Sequence, residues 1–146
     1  MFNKPGFLLL LAGIFLVAVL VPFRAREPRN PLDAELRDCL KEHVGEPKAI
    51  LDCSRKAQAK WYGEMETAYN QLLAKLSPAG KKLFEKSHAN WLNTLGLEMR
   101  LLDECYGKEP DAKFLFIREM DKLGLVRGRV LQLRRYLEVS ARGEKK

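Results

Sequence analysis

Three cysteines, two histidines and a scatter of carboxylates are the residues of this 146-residue chain that could do chemistry. Cys39, His43 and Cys53 could be arranged around zinc, but a closed structural site takes four ligands and this set supplies three. Glu85-x-x-His88 has the form that di-iron bundles use, yet such sites need a second copy and two further glutamates. The other histidine, His43, follows Glu42 directly and lacks that spacing. The chain has no nucleophile elbow, no glycine-rich phosphate loop and no His-Glu-x-x-His. Glu64 and Glu66 are two apart on a helix and cannot face each other. Cys105 has the type of a thiol nucleophile, but neither histidine is placed by the sequence to activate it. These residues exclude the familiar catalytic constellations, and the reading is of a non-enzymatic protein with no metal and no cofactor.

The remaining use for the cysteines is a covalent one. Cys39 and Cys53 fall on the apolar faces of neighbouring helices joined by a tight Gly-Pro turn. A bridge between them closes a loop of about 15 residues, worth about 3 kcal/mol in the chain-entropy model, and belongs in an oxidising compartment. The alternative is a pair of buried thiols in a cytosolic core. In the bridged case Cys105 is left free or intermolecular.

The elements that must position these residues are all helical. Ile50, Cys53, Ala57, Trp61, Met65, Ala68, Leu72 and Leu76 recur at steps of three or four and lie on one face of one long helix. Ser77-Pro78 supplies an N-cap and a first-turn proline, after which the rhythm restarts at Phe84, His88, Trp91, Leu95, Leu102 and Cys105. So short a turn predicts two antiparallel helices with their apolar faces together. Before them, Asn30-Pro31 opens a shorter helix with a stripe of Leu32, Leu36, Cys39, Leu40 and Val44, ended by Gly45. After them, Glu109-Pro110-Asp111 restarts the chain, and Phe116, Met120, Leu123, Val126, Val130, Leu133 and Leu137 carry the pattern to the end. Gly124 and Gly128 weaken that last helix and mark either a bend or a close helix contact. Trp61 and Trp91 stand at helical spacing and read as core. The expected fold is all-α, a small antiparallel four-helix bundle over residues 31–142, with a tail of residues 143–146.

The N-terminus is of another kind. Gly6 to Phe23 carries no charge and follows Lys4; as a helix it reaches about 27 Å, near the lower limit for crossing a bilayer. Residues 1–23 read as a signal anchor or a signal peptide. The anchor is favoured because the segment ends in Val-Pro-Phe-Arg-Ala rather than in small residues. Residues 24–30 form a polar linker. Arg24, Arg26 and Arg29 on their own would hold the domain on the cytoplasmic side. The cysteines favour export.

Net charge is +7, and the segment from Lys113 to Lys146 alone carries ten Lys or Arg against four Asp or Glu. A basic last helix bearing Arg127, Arg134 and Arg135 is either a solvated face or a surface for anionic lipid or an acidic partner. No aromatic residues interleave with the basic ones, so nucleic acid is not expected.

Cys53, fifteen residues, Tyr69, then YNQLLAKLSP and Trp91 together resemble the LprI-type lysozyme-inhibitor domain family. RVLQLRRYLE from Arg129 resembles that family's closing helix. The likeness covers roughly Cys39 to Leu137, with Tyr69, Leu72, Leu76, Trp91 and Arg129 as its motif core. It implies a small exported helical domain of the bacterial envelope, on the extracytoplasmic side, anchored or secreted, that binds and inhibits a lysozyme or wall hydrolase. This chain departs from the family at His88, where a glutamine is usual, and at Leu95, where an arginine is. Two family cysteines fall at Met99 and Asp121, leaving Cys39–Cys53 as the family-like bridge. Lysozymes of animals are basic, so an inhibitor needs an acidic patch; Glu98, Asp103, Glu104, Glu109 and Asp111 supply one. The alternative is a membrane-tethered structural protein whose basic last helix meets lipid or a protein partner.

Overall fold

The computed structural model describes residues 30–107 and 111–143. The apolar run Gly6–Phe23, the linker to Arg29, Glu109 and the tail from residue 144 lie outside the described residues. Among the described residues no helix is long and apolar enough to cross a membrane.

Four helices make up the described chain: α1 (Pro31–Glu42), α2 (Pro47–Lys75), α3 (Pro78–Tyr106) and α4 (Ala112–Gly143). Each boundary has a local cause. Asn30 Oδ1 accepts from the Leu32 amide at 3.0 Å and Pro31 takes the first helical position. Gly45, at φ +89°, lets the chain reverse before Pro47 opens α2. Ser77 Oγ accepts from Gly80 N at 3.2 Å, and Gly107 closes α3 at φ +79°. Asp111 Oδ1 caps α4 by accepting from Phe114 N at 2.9 Å.

The core lies between α2 and α4. Cys53, Ala57, Trp61, Met65, Ala68 and Leu72 of α2 are buried against Leu123, Val126, Val130 and Leu133 of α4, with Leu36 of α1 completing one end. Three links fix the directions. Ser54 meets Met120 and Glu64 meets Arg134, so α2 and α4 run parallel. Glu35–Lys60 and Cys39–Cys53 set α1 antiparallel to α2. His88–Arg129 and Asp103–Lys122 set α3 antiparallel to α4.

This differs from the expected α2–α3 hairpin. The backbones of α2 and α4 make the main helix pair, and α2 meets α3 chiefly where Tyr69 packs on Phe84 and His88. The physical reason is the size of the side chains on α2. Cys53, Ser54, Ala57 and Ala68 are small, so the broad branched stripe of α4 approaches closely and fills the space α3 would have taken.

Three further expectations change. Val44 is 79% exposed because the chain has already left the helix at His43. Cys105 is exposed on the last turn of α3, beyond the part that packs on the core. A Cβ at Gly124 or Gly128 would meet nothing within 4 Å, so neither glycine marks a close helix contact.

Candidate functional site

Cys39 and Cys53 are joined by a disulfide that ties α1 to α2 across a sequence separation of 14. The sulfurs and a ring nitrogen of His43 lie within 4.8 Å of one another, the trio the spacing singled out for zinc. With the sulfurs bonded to each other, no thiolate remains there to bind a metal. His43 instead meets Glu46 through Nδ1 and Oε2 at 3.3 Å.

Tyr69, Trp91 and Arg129, three of the residues singled out from the sequence, lie close together in the fold. Tyr69 on α2 stacks on Phe84, with ring centroids 5.0 Å apart, and meets the His88 ring at a tilt, 4.5 Å between centroids. His88 lies 5.9 Å from Trp91, and the Arg129 guanidinium sits 5.3 Å from the Trp91 ring. Leu72 is buried and Leu76 half-buried beneath them. Tyr69, Trp91 and Arg129 therefore meet at one place, where α2, α3 and α4 come together.

Arg129 is the unusual member of this cluster. Only 7% of its surface is exposed, and no carboxylate among the described residues pairs with it. Nη1 donates to Gln132 Oε1 at 2.8 Å and Nη2 to His88 Nδ1 at 3.4 Å, while the buried Nε has no partner. Burial draws the guanidinium pKa below its usual range. His88 is held below the ordinary histidine value by burial first and by the Arg129 charge second. With Nδ1 accepting, the ring proton of His88 sits on Nε2. Gln132 Nε2 continues the network by donating to Tyr136 Oη at 2.9 Å. Sequence reasoning named Arg129 but missed Gln132 and Tyr136; their positions three and seven residues on, one face of a helix, were the available signal.

The acidic residues singled out from the sequence differ in their partners, and Glu109 lies outside the described residues. Asp103 pairs with Lys122 at 2.5 Å and with Arg118 at 3.4 Å. Asp111 is exposed at the start of α4, where it caps the helix. Glu98 and Glu104 stay exposed on α3 and flank Leu101, itself 55% exposed, with Leu97 one turn before it at 60%.

The basic residues of α4 divide in the same way. Arg127 grips Asp33 through Nε at 2.9 Å and Nη2 at 2.7 Å. Arg134 pairs with Glu64. Both guanidiniums also lie over the Trp61 ring, at 5.6 and 5.9 Å. Arg135 alone of the three is exposed.

No protein-family model, curated protein or solved structure matches this chain.

Proposed function

We propose that this chain is a non-enzymatic envelope protein that binds a basic lysozyme or wall hydrolase, with α3 as the binding element. The carrying observation is the outer face of α3. Over 29 residues this helix buries only Phe84 and Leu95, and it leaves Leu97 and Leu101 open, with exposed Glu98 and Glu104 on either side of Leu101. An apolar strip with carboxylates at its edges is complementary to a cationic protein surface. The disulfide supports an extracytoplasmic setting, and Gly6–Phe23 provides the membrane tether or export signal. The link to lysozyme rests on the LprI-type resemblance.

The alternative, a tether whose last helix contacts anionic lipid, has less support. Arg127 and Arg134 are committed to Asp33 and Glu64, leaving Arg135 as the exposed arginine of the three.

A lysozyme turbidity assay with residues 30–146 separates the two. The binding reading expects inhibition on the order of micromolar, abolished by Glu104→Lys or Leu101→Asp with no change in melting temperature. Salt-sensitive capture by anionic vesicles without inhibition would instead establish the lipid reading.

A further inference from the structure

We propose that in the reduced protein Cys39, His43 and Cys53 form an open, three-ligand zinc site, of which the disulfide is the closed form. The two sulfurs and a ring nitrogen of His43 lie within 4.8 Å of one another, although they come from α1, the turn after it and α2. Bonds of about 2.3 Å to sulfur and about 2.0 Å to nitrogen set tetrahedral zinc ligands roughly 3.5–3.8 Å apart. Once the S–S bond opens, side-chain rotations on the order of 1 Å bring the trio to that spacing. Two thiolates and an imidazole suit zinc and not calcium or magnesium, which take oxygen ligands. Three protein ligands leave the fourth position to water, and the half-buried His43 keeps that side of the site in reach of solvent.

The surroundings serve both states. Glu46 Oε2 lies 3.3 Å from His43 Nδ1 and accepts its proton, the carboxylate contact that orients metal-binding imidazoles and raises their basicity. The lone pair of the neutral ring is then on Nε2. The sulfurs are also reachable. A cavity of about 320 Å³ between α1 and α2 is lined by Cys39 and Cys53, by Leu36 and Ala57, and by Lys56 and Lys60. A dithiol reductant reacts through it. One of its thiolates attacks a sulfur of the bridge, its second thiol resolves the mixed disulfide, and two electrons and two protons pass to Cys39 and Cys53 as the reductant becomes a disulfide. Zinc then replaces the two thiol protons, which go to solvent. The Lys56 ammonium, three residues on from Cys53, favours the thiolates that zinc requires.

The test uses the full chain with Cys105→Ser, so that only the two bridge sulfurs report, held in an uncharged detergent. One portion stays oxidised; the other is reduced with a phosphine, which is then removed without air. Co²⁺ is titrated as the spectroscopic stand-in for zinc. The reduced protein should gain, at one equivalent, a near-ultraviolet thiolate charge-transfer band and the visible bands of four-coordinate Co²⁺, both erased by Zn²⁺. The oxidised protein should show neither. His43→Ala should weaken Zn²⁺ binding to the reduced protein by about tenfold or more against a competing chelator. Far-ultraviolet circular dichroism separates the site from metal capture by an unfolded chain: if reduction costs helix, one equivalent of Zn²⁺ must restore it. No saturable band after reduction, equal binding to the oxidised protein, an unchanged affinity in His43→Ala, or helix lost on reduction and not restored by Zn²⁺ would each overturn the site.

Discussion

His88 and Arg129 place two basic side chains 3.4 Å apart, and the histidine stays neutral to allow it. Its folded-state pKa lies below the unfolded value of 6.5. Above pH 6.5 both states hold the ring neutral and nothing is lost. As pH falls below 6.5 the unfolded chain takes up a proton that the folded chain refuses, so stability declines until the folded-state pKa is reached. Urea denaturation across this range should show that decline, and His88→Gln should flatten it; an unchanged slope would mean that the ring is not held neutral. At Cys39–Cys53 the expected loss is larger. Replacing both cysteines by serine should lower stability by about 3 kcal/mol, from the loop of about 15 residues that the bridge closes. A thiol titration of the native protein should find Cys105 alone reactive.

The helices themselves carry removable weaknesses. Gly124 and Gly128 sit exposed within α4 and have open space where a Cβ would go. Alanine at either should raise stability by about 1 kcal/mol, through helix propensity alone. Denaturation midpoints that fall instead would mean that something covers this face. The small residues of α2 have the opposite meaning. Cys53, Ala57 and Ala68 are buried and set how closely α4 can lie, so enlarging Ala57 or Ala68 to leucine should destabilise by about 1–3 kcal/mol, read from the same midpoints.

At the scale of the whole molecule, Trp61 is the point where three helices are held together. It is fully buried on α2, and the two α4 arginines over its ring reach onward to Asp33 on α1 and Glu64 on α2. Its own Nε1–H is buried without a partner, a cost the surrounding packing must outweigh. Trp61→Ala should cost about 3–5 kcal/mol, and Asp33→Asn about 1.5–3 kcal/mol. A double-mutant cycle between Asp33 and Trp61 should be non-additive, since both changes act on Arg127. Additive losses in calorimetry would show that α1 is held by the disulfide and leucine contacts instead.

The sequence by itself determined where most of the described helices begin, because caps and first-turn prolines act within a few residues of where they stand. Asn30-Pro31, Ser77-Pro78 and Asp111 mark the starts they were expected to mark, whereas α1 stops at Glu42, short of Gly45. It also placed Cys39 and Cys53 within reach of each other, since one tight turn separates their helices. Periodicity tells which face of a helix is apolar but not which other helix will cover it. Only the tertiary structure chose α4 over α3 as the partner of α2, spent Asp103, Arg127 and Arg134 on internal pairs, and buried Arg129 without an anion. Those outcomes depend on how closely two backbones can approach and on which charges then face one another from different helices, 19 residues apart for Asp103 and Lys122 and 94 for Asp33 and Arg127, and neither is written in local spacing.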